Sequence, residues 1–154
     1  MNLVIRKANY DDFAAINVIA KQEHELHVTM RPDLYVSVDP VIDQERYRQL
    51  LDNYQVFVAE KDGIVVSYAV CFVKEDNNPV KTKRRTFFID AIGNEENHIG
   101  QGIGKKMMEY AEALAKEAAC DCLELQVVAV NQEAVGFYDH LGFKKKYLHL
   151  EKDI

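Results

Sequence analysis

The sequence predicts a mixed α/β fold, one sheet with helices on both faces, in the order β-α-α-β-β-β-α-β-α-β. Three observations carry this reading. Residues 56–60 and 64–73 are β-rich runs joined through Lys61-Asp62-Gly63, a strong hairpin signal. Residues 86–92 are apolar and lead through a polar loop into Gly100, Gly102 and Gly104 and then a helical pattern. A second strand-then-helix passage follows, so the chain mixes a hairpin with crossovers and is not a plain alternating wind. At 154 residues, 48% hydrophobic and 29% charged, it suits one continuous domain over residues 1–154 with one sizeable core.

In chain order, residues 3–6 are a short apolar run and read as the first strand. Asn9 followed by Asp12 is a cap pair. Phe13, Ile16, Ile19, Ala20, Glu23 and Leu26 then recur at helical spacing and fade toward Thr29. Residues 31–35, Arg-Pro-Asp-Leu-Tyr, break that helix, because the residue before a proline avoids the α region. Asp39-Pro40 opens a second helix with proline at its first position, carrying Ile42, Leu50 and Leu51 to about Asn53. After the hairpin, residues 75–85 are a polar loop and 86–92 the next strand. The third helix presents Ile103, Met107, Tyr110 or Ala111, Leu114 and Ala118 on one face. Residues 123–128 are another strand and 131–141 a helix ended by Gly142. Residues 143–150 read as a closing strand.

Composition narrows the function classes. A formal charge of -6 argues against nucleic acid, whose phosphates demand a basic face, and mildly favours a cationic substrate. No segment approaches the ~18 apolar residues of a membrane span, and the N-terminus lacks a signal-length apolar run. Cys71, Cys120 and Cys122 lack zinc-type spacing and read as reduced core thiols of a cytoplasmic protein.

The glycines mark an anion site. N–H groups in a first helical turn have no intrahelical partner, and the positive end of the helix dipole lies there. Lys105 and Lys106 oppose that dipole, which makes sense if a phosphate sits between. A P-loop would need four residues between its glycines, then Lys and Ser or Thr. Here Gly104 is followed by two lysines, and that reading fails. A dinucleotide fingerprint wants G-x-G-x-x-G tight against the strand and an acidic residue about 20 on. Glu124 stands near that distance, but the spacing is G-x-G-x-G and a polar loop intervenes.

A second block decides between them. Residues 131–143, Asn-Gln-Glu-Ala-Val-Gly-Phe-Tyr-Asp-His-Leu-Gly-Phe, follow a strand one helix downstream of the glycines. With the loop, this block resembles the GNAT superfamily of N-acetyltransferases, which pairs Gln/Arg-x-x-Gly-x-Gly with a later Asn-x-x-Ala-x-x-x-Tyr…Leu-Gly-Phe helix. The hairpin and the N-terminal strand with two helices match too. The resemblance implies a mixed, mostly antiparallel sheet of six to seven strands flanked by about four helices. One departure is Ile99, where the family carries Gln or Arg; Gly93 and Asn94 also stand where most relatives have small or apolar residues. Because backbone N–H groups supply most of the phosphate grip, Ile99 should weaken binding and not abolish it.

The resemblance further implies acetyl-coenzyme A as donor. Its pyrophosphate would rest on Ile99, Gly100, Gln101, Gly102, Ile103 and Gly104 with Lys105 beside them. Its pantetheine arm would run along Ile92, Gly93 and Asn94, and Asn131 would bond the arm while also capping its helix. Tyr138 is expected to act as general acid. Thioester transfer expels a thiolate of reference pKa about 8.5, to which a tyrosine near 10 can donate; the gap of about 1.5 units costs roughly 2 kcal/mol. The competing role for Tyr138 is a core aromatic packed on the last strand. For the base, Asp90 in Phe-Phe-Ile-Asp-Ala-Ile is first choice and Glu124 in Leu-Glu-Leu-Gln-Val second, each a carboxylate inside an apolar strand. A strand-end N–H near Ile92 would serve the oxyanion.

Glu23-His24-Glu25-Leu26-His27 is not a zinc site. Its histidines stand at i and i+3 where the protease motif needs i and i+4, and no metal is expected. In relatives this helix and the following loop wall the acceptor site, which makes His27, Arg31, Asp33 and Tyr35 candidate acceptor contacts. Lys144, Lys145 and Lys146 are either a phosphate contact or a solvated strand start. The expected function is transfer of acetyl from acetyl-CoA to a primary amine of a small molecule or peptide, with no covalent enzyme intermediate. The alternatives are a catalytically weak acyl-CoA-binding sensor of the same fold and, on the glycines and Glu124 alone, a nicotinamide oxidoreductase. No nucleic acid or membrane partner is expected, and the resemblance allows a homodimer.

Overall fold

The computed structural model describes residues 2–154. Five strands form one sheet in the order β1-β2-β3-β4-β5: β1 (Leu3–Lys7), β2 (Gln55–Lys61), β3 (Ile64–Glu75), β4 (Arg85–Asn94) and β5 (Cys122–Leu125). The first four are antiparallel neighbours, and β5 runs parallel to β4. The hairpin forms as its sequence predicts. Asp62 and Gly63 both take positive φ, 52° and 82°, the two-residue turn whose twist matches the strands it joins.

Helices cover both faces. α1 (Phe13–Met30) and α2 (Gln44–Asn53) lie on one, α3 (Ile103–Glu117) and α4 (Gln132–His140) on the other. The period-two alternation of the strands sorts their side chains accordingly. Val56, Val58, Tyr68 and Val70 meet Ile16, Ile19 and Ala20 of α1 and Tyr47 and Leu50 of α2. Phe57, Ala59, Ala69, Cys71, Phe87 and Ile89 meet Ile103, Met107, Met108, Ala111 and Ala115 of α3. Asn9 and Asp12 form a reciprocal capping box on a 3-10 turn that leads into α1. Asp12 also takes two hydrogen bonds from Arg6, both 2.8 Å, tying that turn to β1.

One irregularity shapes the site. Along β3–β4, Val70 pairs with Ala91 and Cys71 with Ile89, so Asp90 is an extra, unopposed residue, a β-bulge. The bulge flips the phase of the strand. Phe87 and Ile89 face α3, then Ala91 packs toward α1 and Ile92 toward α3. β5 stays paired with β4 only from Cys122 to Leu125, ending opposite Ile89. Beyond that point the two strands part.

Three boundaries differ from the sequence reading. The second helix begins at Gln44, because Asp43 caps it by accepting from Arg46 N at 2.8 Å, while Asp39-Pro40 lies in a bend before it. The strand expected over 123–128 stops at Leu125, and residues 126–128 leave the sheet to line a cavity. The closing strand over 143–150 is not formed, which leaves five strands among the described residues where six or seven were expected. Tyr147, Leu148 and Leu150 stand exposed, and this tail is fastened by ion pairs, Lys146 to Glu124 and Glu151 to Arg31.

Candidate active site

A cavity of about 310 Å³ opens where β4 and β5 diverge. Its walls are Ile89, Asp90, Ala91 and Ile92 of β4 and Leu125 to Val128 leaving β5. Because the gap interrupts the sheet, helices of both faces reach it. α1 contributes Glu23 and His27, α4 contributes Ala134 and Tyr138, and Asn131 and Tyr35 complete the lining.

Tyr138 stacks edge-on against Phe137 and Phe143, at 5.4 and 5.7 Å between ring centroids. Burial, reinforced by the charge of Glu23, pushes its hydroxyl up to about 12. Asn131 caps α4, its Oδ1 accepting from Ala134 N at 3.1 Å. His27 stacks on Tyr35 at 5.2 Å, and burial lowers its pKa, so the ring is neutral at neutral pH. Arg31 and Asp33 are held elsewhere, Arg31 Nε and Nη2 donating to the two Asp33 carboxylate oxygens at 2.9 and 2.7 Å.

The two expected bases fare differently. Asp90, the bulge residue, lies exposed on the cavity wall. Glu124 does not line the cavity. Burial would raise its pKa, but the hydrogen bond and charge of Lys146, with Lys74 and Thr86, bring it below the ordinary range. A carboxylate so engaged is a poor proton acceptor.

The glycine loop lies just past the β4 wall. Gly100 and Gly102 take φ of 83° and 79°, conformations that favour glycine, and a Cβ on either would meet nothing within 4 Å. Gly102 caps α3 with no side chain of its own, leaving the first-turn N–H groups open. Gly104 is small for another reason: a Cβ there would crowd Phe137 and Asn94, at 3.1 and 3.2 Å. Gln101 accepts from Lys61 Nζ at 2.7 Å, and the Ile99 side chain points to water. Asn94 Oδ1 is buried without a hydrogen-bond donor.

Glu23 of α1 also reaches the cavity, a site residue its sequence context did not single out. Its Oε2 is sealed from water and has no hydrogen-bond partner, and burial lifts its pKa to about 7. The signal was present: Glu23 sits in the apolar stripe of α1 with Phe13, Ile16, Ile19 and Ala20. The unfolded chain releases the Glu23 proton near 4.5, and the folded chain holds it to about 7. Between those values the folded state binds more protons, so stability falls as pH rises through that window and levels above it. A 2.5-unit shift corresponds to ~3 kcal/mol, and an unpartnered amide gives back ~1. Glu23→Gln is therefore expected to stabilise the protein by roughly 2 kcal/mol at pH 8 and to destabilise it by about 1 kcal/mol at pH 4, in urea melts at each pH.

Among the described residues no group of three or more His, Cys, Asp or Glu could hold a metal ion, and no helix is long and apolar enough to cross a membrane. Residues 20–143 match the acetyltransferase (GNAT) family, and the chain belongs to that family. It is 24% identical over 142 residues to the uncharacterized N-acetyltransferase YjgM of Escherichia coli (strain K12), covering 92% of this chain and 81% of that one. A mutant BH1408 protein from Bacillus halodurans superposes with a TM-score of 0.95 at 26% identity, over 98% of this chain and 99% of that one. AAC(6')-Iy, in complex with the bisubstrate analog CoA-S-monomethyl-acetylneamine, superposes with a TM-score of 0.73 over 100% of both chains. At 15% identity that second likeness is one of fold.

Proposed function

We propose that this protein transfers an acetyl group from acetyl-coenzyme A to a primary amine, the amine attacking the thioester directly. The observation that supports this best is the cavity at the parting of β4 and β5, with Tyr138 in its wall and the open turn of α3 packed against Asn94 beside it. The pyrophosphate fits the N–H groups of residues 99–104, with Lys105 as a nearby cation. The pantetheine arm carries amide donors and acceptors, and the residues suit both. The orphaned Asn94 Oδ1 can accept from an amide N–H. Asn131 uses its Oδ1 for the helix cap, which leaves its Nδ2 to donate.

Tyr138 then faces the sulfur as acid, and a β4 N–H near Ile92 faces the acetyl oxygen. Acceptors enter past Asp90, His27 and Tyr35, and an exposed carboxylate at that rim suits a cationic amine. The -6 charge favours polyamines, basic peptides and aminoglycosides alike. AAC(6')-Iy, of the same fold, is seen with an analog joining coenzyme A to an acetylated aminoglycoside fragment, which supports a small-molecule acceptor.

The test is calorimetric titration with acetyl-CoA, then thiol release with spermidine, benzylamine, neamine and a lysine-rich peptide. Micromolar binding with release on one amine class is the expected result. Binding with no release on any amine would instead favour an acyl-CoA sensor, and absence of binding would sink both.

A further inference from the structure

We propose that Glu23 of α1 is the base of this reaction, the carboxylate that takes the proton from the acceptor's ammonium inside the cavity. The inference rests on the acetyl-transfer reading above, and the geometry singles Glu23 out from the other carboxylates. Asp90 is exposed to water and Glu124 is spent on Lys146 and Thr86 away from the cavity. Glu23 lines the cavity, and no group of the protein satisfies its Oε2. A buried carboxylate oxygen with no donor costs free energy, and a turn of the Glu23 head group toward the cavity it lines would bring that oxygen to a donor from outside the chain. A protonated primary amine is such a donor.

Room for Glu23 is made by Gly93. A Cβ on Gly93 would collide with Glu23 Oε2 and crowd Ile19 and Tyr68, at 3.2 Å each. The missing side chain on β4 thus lets a carboxylate from the α1 face stand against the strand edge that walls the cavity. Tyr138 reaches the same cavity from the α4 face. Acid and base candidates therefore approach one reacting centre from opposite sides of the sheet. The charge of Glu23 is felt by Tyr68 of β3 and Tyr138 of α4, and the other titratable groups of the cavity lining are Asp90 of β4 and His27 and Tyr35 of the acceptor side. None is a cation at neutral pH, so the arriving ammonium meets no competitor for the carboxylate. A value near 7 in the free protein suits the task, since a base is best poised close to working pH.

The protons balance. Ammonium gives one proton to Glu23, and the freed lone pair attacks the acetyl carbon. The carbon–sulfur bond breaks, and the thiolate takes a proton through Tyr138 as the new amide nitrogen loses its second. Glu23 later releases its proton to water, so each turnover yields amide, coenzyme A thiol and one proton.

The test compares wild type, Glu23→Gln and Gly93→Ala by thiol release across pH, with the four amines named above and acetyl-CoA saturating. Wild type should rise with pH and level above about 7, because Glu23 does the deprotonation. Glu23→Gln should lose about 100-fold in kcat, keep its acetyl-CoA affinity, and climb steadily toward the amine's own pKa of about 10. Gly93→Ala, which displaces the carboxylate without removing it, should show the same changed profile. A merely structural Glu23 would lower the rate and leave the shape of the profile alone. Unchanged rate and profile in Glu23→Gln would overturn the inference and leave acetyl transfer standing. A wild type that binds acetyl-CoA but acetylates none of the amines would overturn both.

Discussion

Tyr138→Phe should lower kcat by about 100-fold while leaving the dissociation constant for acetyl-CoA and the fold nearly as they are. The ring keeps its edge contacts with Phe137 and Phe143, and only a hydroxyl on the cavity wall is lost. Volume-conserving changes of this kind cost less than about 1.5 kcal/mol of stability. The size of the kinetic effect follows from the structure. With its hydroxyl pushed to about 12, Tyr138 lies roughly 3.5 units above a reference thiol, and full proton transfer would cost about 5 kcal/mol. In the proposed reaction Tyr138 would therefore stabilise the leaving sulfur by a hydrogen bond and pass its proton only as the amide nitrogen returns one. That places the loss at the lower end of the usual 10²–10⁴ range for a general acid. It also fixes the alkaline side of the profile: kcat should hold level past pH 10, since the hydroxyl stays protonated there. A falling limb near pH 8–9, or a Tyr138→Phe enzyme as fast as wild type, would assign the acid to another group.

What the sequence disclosed and what it hid divide along chemical lines. Local signals were legible. Asp62-Gly63 named its hairpin turn, Asn9 and Asp12 their capping box, Gly142 a helix end with φ of 93°, and the spaced apolar residues of α1 and α3 their buried faces. Competing local signals misled once: Pro40 is a good helix opener, but Asp43 three residues on offers the side-chain acceptor that begins α2. The cavity was not legible, because it arises from a bulge at Asp90 and from the point where β5 stops pairing, both properties of strand register between distant segments. Glu23 shows both sides of this. An acid in an apolar helical stripe is visible in the residues alone. Its meaning depends on Gly93 and Tyr138, 70 and 115 positions away. The closing strand was misread for a similar reason: residues 143–150 carry β-type residues, but whether they join the open edge of β5 is a matter of pairing between distant segments, and in the structure they stay outside the sheet.

Gly102→Asp is expected to weaken acetyl-CoA binding by 10²–10³-fold and to leave stability within about 1 kcal/mol of wild type. The opposing signs make this a sharp test of the anion site. Asp tolerates positive φ better than most residues, and a carboxylate at a helix N-terminus gains about 0.3–1 kcal/mol from the dipole, so α3 itself has little to lose. No atom lies within 4 Å of a Cβ at Gly102, so nothing in the fold resists the side chain. If the coenzyme's pyrophosphate occupies that open space, it meets a like charge. At about 4 Å and an effective dielectric near 20 the repulsion is roughly 4 kcal/mol, close to a thousandfold in affinity. Salt should recover part of the loss, because these charges border solvent. Gly63→Asp is the matched control: it has φ of 82° and an equally open Cβ direction, but sits in the hairpin turn away from the cavity. It should bind acetyl-CoA as wild type does. Gly102→Asn separates bulk from charge and should fall between the two. Wild-type affinity in Gly102→Asp would mean that the N-terminus of α3 holds no phosphate, and that the glycine loop serves only the turn into the helix.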